Sequence, residues 1–96
     1  MIGSFRHKGL RRLLETGDAR GINAEHADRL LAILTVLEAS GTLEDLSLPT
    51  YNLHELSGNR AGLWSVRVRG NWRVVFRYED GHAFDIDLVD YHRGHA

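Results

Sequence analysis

Asp90-Tyr91-His92 closes the last apolar-alternating run of the chain and sets a carboxylate, a phenol and an imidazole side by side. An imidazole exchanges protons near neutral pH, so such a cluster can perform proton-transfer chemistry beside an ionic reactant. The preceding stretch supplies the cations. Its expected strands carry Ser65, Arg67, Arg69, Arg73, Val75, Arg77, Asp85 and Asp87 on one face. Arg67 falls opposite Arg73, an arrangement that destabilises a sheet unless something anionic lies between the two. Asp87, expected on the other flank of Arg73, supplies part of that compensation if the face is simply a solvated ion-pair surface. The two alternatives are an anion-binding face and an ordinary salt-bridged one.

These residues need a sheet to hold them. Leu63 to His92 reads as three short antiparallel strands, with Gly70-Asn71 and Asp80-Gly81 as hairpin signals. Three-residue loops at both turns put Trp64, Val66 and Val68 opposite Phe76, Val74 and Trp72. They also set Phe84, Ile86 and Leu88 against the same three residues, giving one apolar face. Leu53 to Leu56 alternates and makes an edge or second strand, and Ile2 to Phe5 is a candidate first strand. Leu10, Leu13 and Leu14 predict a helix over Lys8 to Thr16, ended by Gly17. Ala27, Leu30, Leu31, Leu34 and Leu37 predict a longer helix capped by Asn23, with Arg29 on its polar face and His26 at the surface. His7 and His82 also read as surface residues. Thr42 to Tyr51, with the only proline, reads as a connection. The fold class is α+β: two N-terminal helices packed on a small antiparallel sheet of three to five strands.

The 96 residues suit one domain spanning 1–96, with Arg93 to Ala96 as a flexible tail. No cysteine is present, which leaves neither disulfides nor a thiolate metal site. His92 and His95 have a chelating gap but no third ligand, so no metal and no cofactor are expected. No apolar run approaches membrane-spanning length and the first residues lack a signal-peptide core, so the expected location is the cytoplasm. The net charge of −1 conceals alternating blocks. Residues 1–14 carry +4, 15–53 carry −5, 54–77 carry +4 and 78–96 carry −4. Local patches decide whether a polyanion docks.

Phe5-Arg6-His7-Lys8-Gly9-Leu10, Leu53-His54-Glu55-Leu56-Ser57-Gly58-Asn59-Arg60-Ala61-Gly62, Trp64-Ser65-Val66, Gly70-Asn71-Trp72-Arg73 and Val89-Asp90-Tyr91-His92 together resemble the HigB branch of the RelE/ParE toxin superfamily. The resemblance implies the fold just read and a ribosome-dependent mRNA interferase, which inhibits translation by cutting mRNA in the 30S A site without a metal. It implies a helix-turn-helix, HigA-like antitoxin as partner, with operator DNA reached only through that antitoxin and no membrane contact. It also implies the site: His54, Arg73, Asp90, Tyr91 and His92 as catalytic residues, either histidine serving as base or acid. Arg60, Arg67, Arg69 and Ser57 would contact RNA or ribosome. Asp90 would tune a histidine or cap the sheet, and Tyr91 would stack on a base, bind phosphate or pack as an edge aromatic. Many members carry Lys where this chain has Ser57, so weaker substrate binding is expected. Two rival functions on the same fold are a ParE-like inhibitor of DNA gyrase and a degenerate toxin kept only to bind its antitoxin.

Overall fold

The computed structural model describes residues 1–39 and 41–91; His92 to Ala96, including the expected tail and catalytic His92, lie outside them. The first helix, α1, spans Lys8–Thr16. His7 caps it, its Nδ1 accepting from the Leu10 N–H at 3.2 Å, so His7 has a structural task and is not a bystander on the surface. Gly17 ends α1 in the left-handed region and donates to the Leu13 carbonyl. Asn23 accepts from the Glu25 N–H and starts a single 3-10 turn, Ala24–His26, which runs into α2, Ala27–Ala39. The buried stripe of α2 is Leu30, Ile33, Leu34 and Leu37, whereas Leu31 is exposed. Around a helix Ile33 lies about 60° from Leu30 and Leu31 about 100° away, on the other side, so only one of them can join a narrow stripe.

A four-stranded antiparallel sheet follows, in the order β1 (His54–Glu55), β2 (Leu63–Arg69), β3 (Trp72–Glu79) and β4 (His82–Asp90). Ile2 and Phe5 form isolated parallel bridges to Ala83 and Ile86 rather than a full strand. Trp64 pairs with Phe76, Val66 with Val74 and Arg67 with Arg73, as the sequence pattern predicts. The hairpin reaches that register by another route. A two-residue turn leaves Arg69 opposite Trp72, and one extra residue, Val68, bulges out of β2.

The second hairpin corrects the expectation. Its turn is Asp80-Gly81, with both residues at positive φ, the twist that favours tight hairpins. A second bulge, in β4, coincides with Asp85 at φ 56°. The shorter turn shifts β4 by one position from the predicted pairing, and the extra residue makes the shift two beyond Asp85. Arg73 therefore faces Val89, and Asp87 faces Val75. Ala83 takes the core position predicted for Phe84, while Phe84 pairs with Arg77 and receives its guanidinium at 4.6 Å.

The helices cover one side of the sheet. Leu10, Leu13, Leu30, Ile33, Leu34 and Leu37 pack with Val66, Val74, Phe76 and Ile86 in one core, closed below by Leu46 from the 44–46 turn. Each such large side chain contributes about 1.5–3 kcal/mol by leaving water. His26, expected at the surface, is buried against Trp72 with ring centroids 5.8 Å apart. Its place in the turn before α2 points it inward, because the 3-10 turn rotates the chain ahead of the helical stripe. Among the described residues no helix is long and apolar enough to cross a membrane.

Candidate active face

The side of the sheet away from the helices holds most of the candidate residues. Antiparallel registration lines up His54, Ser65, Val75 and Asp87 across all four strands, with Arg67, Arg73 and Val89 in the adjacent row. Ser65 and Val75 are buried, so this face is closed over at its centre and is not uniformly solvated. Arg73 directs Nη1 at the Ser65 hydroxyl, 3.4 Å away, and its guanidinium lies 5.4 Å from the centre of the Tyr91 ring. Arg60 bears on the same ring, also at 5.4 Å.

Arg60 arrives there from a loop, not from a strand. Leu56 donates to the Leu63 carbonyl and pins the two ends of the 57–62 segment together. Inside it, Gly58–Arg60 makes one 3-10 turn, with Gly58 and Gly62 at positive φ where a Cβ would be strained. Ser57 precedes that turn in extended conformation, exposed and without a capping hydrogen bond. Tyr91 is anchored by its N–H, which donates to the Asn71 carbonyl in the β2–β3 turn. A loop, a central strand and the end of β4 thus converge on one aromatic ring.

His54 stands on the edge strand, opposite Ser65 and exposed. Its Nδ1 sits 3.0 Å from the Asn52 carbonyl. A carbonyl can only accept, so the neutral ring donates from Nδ1 and presents the lone pair of Nε2 outward. Asp90 pairs with Trp72 at the end of β4, one residue before the ring.

The charges on this face are unbalanced. Arg77 is neutralised locally by Glu79 at 2.9 Å and Asp85 at 3.7 Å. Arg73 makes no ion pair with Asp87, whose Oδ1 instead accepts from the Leu88 N–H. Among the described residues Arg60, Arg67, Arg69 and Arg73 have no carboxylate partner. Arg67 and Arg73 nevertheless face each other directly. Such a face is poised for an anion that reaches both.

The structure therefore gathers Arg60, Arg73 and Tyr91, places Arg67 and His54 on flanking strands and puts Ser57 in the loop beside them. Arg69 projects beyond the β2 bulge, at the margin. One contributor is absent from the sequence reading. Arg29 of α2 donates through Nε and Nη2 to the Arg67 carbonyl, and to the carbonyl and hydroxyl of Thr50, with its guanidinium 4.5 Å from the Tyr51 ring. It ties the helix layer to the bulge after Arg67. Nothing in the spacing of α2 distinguishes it from a solvated arginine.

Two helices on one side of a four-stranded antiparallel sheet, with a cation-rich opposite face, define a RelE-like α+β domain. A crystal structure of a YafQ mutant from E. coli shares this fold with a TM-score of 0.60 at 17% identity, over 94% of this chain and 91% of that one. The chain belongs to the HigB-like toxins, since the family model for the RelE-like toxin of type II toxin-antitoxin system HigB matches residues 3–92. It is 40% identical over 92 residues to Endoribonuclease HigB of Proteus vulgaris, spanning 96% of this chain and all of that one. It is 32% identical over 90 residues to Toxin HigB-1 of Vibrio cholerae serotype O1, spanning 92% and 95% respectively. As a type II toxin it has an antitoxin for a partner.

Proposed function

We propose that this toxin cuts mRNA in the ribosomal A site by in-line attack of a 2'-hydroxyl on the adjacent phosphate. The toxin is an endoribonuclease, as its full-length likeness to a protein of that name supports. The observation that carries the mechanism is Tyr91 holding the guanidiniums of Arg60 and Arg73 on the strand face, with exposed His54 on the neighbouring edge, its Nδ1 engaged by the Asn52 carbonyl.

In the reaction the 2'-oxygen bonds to phosphorus and the bond to the 5'-oxygen breaks. The products are a 2',3'-cyclic phosphate and a 5'-hydroxyl end. Two protons move, one off the 2'-hydroxyl and one onto the leaving oxygen. His54 Nε2 handles one and His92 the other, with Asp90 orienting a histidine. Arg73 stabilises the charge on the phosphorane and Arg67 supports it, while Arg60 and Arg69 hold the flanking backbone. The ring of Tyr91 keeps two cations aimed at the phosphate. The cation surplus is local in a chain of net charge −1, which fits an enzyme that meets its substrate already presented by a ribosome. A HigA-like antitoxin would restrain it.

The test maps mRNA 5' ends in a reconstituted translation reaction, with and without ribosomes, for wild type and His54→Ala. In-frame, ribosome-dependent cuts that drop 100-fold or more (order of magnitude) in the variant are expected. A folded toxin that arrests growth without cutting would point to gyrase inhibition. One that neither cuts nor arrests growth would be a degenerate antitoxin partner.

A further inference from the structure

Beyond the face that holds Tyr91, the β2 bulge borders a groove of about 340 Å³ lined by Arg29, Pro49, Thr50, Arg67, Arg69 and Gly70 together with Val68. Among the described residues its lining contains three guanidiniums and no carboxylate. Three other surface grooves each include at least one acid: Glu38 and Asp80, Glu15 and Glu38, or Glu15. We propose that this groove is a second RNA-backbone subsite, which takes a phosphate of the strand flanking the one at Arg73.

Three features support it. Arg29 is held in position by Thr50, the Arg67 carbonyl and the Tyr51 ring, yet among the described residues it meets only neutral acceptors and no carboxylate. The Thr50 hydroxyl accepts from Arg29 Nη1, which leaves its own proton for an incoming oxygen. Arg67 links the two sites, since it faces Arg73 across the sheet while its neighbours Val68 and Arg69 line the groove. The bulge turns Arg69 toward the groove and away from the strict alternation of β2. A strand crossing the face from Tyr91 to Arg67 runs directly into it. Continuity with the cleavage face makes RNA the occupant, and the inference rests on the function proposed above.

The test uses uncleavable 2'-O-methyl hexanucleotide and ¹⁵N-labelled toxin. Amide resonances of Thr50 and Gly70 should shift together with those of Ser65 and Tyr91. Arg69→Gln, at an exposed position, should weaken binding about five- to tenfold and lower the salt slope by about 0.7, the value for one lost single-strand phosphate contact. Arg20→Gln, an exposed arginine paired with Asp18 outside the groove, should change neither. Shifts on the sheet face with silent groove amides would overturn the subsite and leave the proposed function standing. Shifts nowhere would overturn it too, and the 5'-end mapping separately decides the function. A groove that answers hexaglutamate but not the hexanucleotide belongs to a protein partner, which also refutes the inference.

Discussion

Replacing Arg73 with glutamine should separate catalysis from stability, because the two respond oppositely to its charge. Arg73 faces Arg67 directly, and neither has a carboxylate partner among the described residues. Like charges on facing strands at a partly exposed site repel by at most about 1 kcal/mol in an aqueous dielectric, which glutamine relieves. Against this, the substitution removes a cation–π contact with Tyr91, about 0.5–1 kcal/mol at a partly exposed site. The 3.4 Å contact to Ser65 is long and adds little. The terms nearly cancel, so unfolding free energy should stay within about 1 kcal/mol of wild type. That corresponds to a midpoint shift under about 8 °C for a domain of this size. Loss of a cation from the phosphorane should instead lower kcat by about 100- to 1,000-fold. Thermal unfolding by circular dichroism and single-turnover cleavage on programmed ribosomes measure the two sides. A destabilisation above about 2 kcal/mol would make Arg73 a structural residue. Cleavage within fivefold of wild type would remove it from the transition state.

Ser57→Lys should lower KM about fivefold with kcat unchanged, because the exposed position accepts a longer side chain and one added phosphate contact is worth about 1 kcal/mol; an unchanged KM would show that this loop does not meet RNA. Tyr78→Phe should raise the unfolding midpoint by roughly 4–8 °C, since the Tyr78 hydroxyl is buried without a hydrogen-bond partner among the described residues. Burial also raises the Tyr78 phenol above its ordinary value, so its contribution to stability is complete below about pH 10, where the unfolded phenol ionises, and fades as pH climbs through the folded-state value. Alkaline unfolding curves for the two proteins should therefore diverge above about pH 10, with the phenylalanine variant the more resistant. His26→Ala should cost about 2 kcal/mol and shift the Trp72 fluorescence, since it empties a buried site against that indole; unaltered emission would contradict the ring contact.

The sequence pattern made the helices, both hairpins, the α+β class and the facing pair Arg67 and Arg73 readable. Alternation located β2 and β3, and the clash of Arg67 with Arg73 stood out because like charges opposite each other demand a reason. The two bulges were not readable. Each is a single-residue event, and the one at Asp85 puts a non-glycine at positive φ, which composition does not announce. Because a strand alternates every second residue, the shorter turn put Ala83 in the core instead of Phe84, and turn and bulge together moved Asp87 away from Arg73. His26 and Arg29 escaped for another reason. Both owe their roles to partners distant in sequence, Trp72 for one and Thr50 with Arg67 for the other, and helical periodicity says nothing about such partners.

The hydrogen bonds between the opening residues and β4 span nearly the whole chain. Gly3 donates to the Ala83 carbonyl, Ala83 to that of Met1, and Arg6 to that of Ile86. Bonds of such long sequence separation form late, because the intervening loop must first be closed. During synthesis, residues 1–7 emerge ahead of β4 and wait without their pairing strand until it has left the exit tunnel. Tyr91, on which Arg60 and Arg73 converge, is made later still. The helices and the first hairpin can therefore form before the strand that joins β3 to the opening residues, and that leads into Tyr91, has been made.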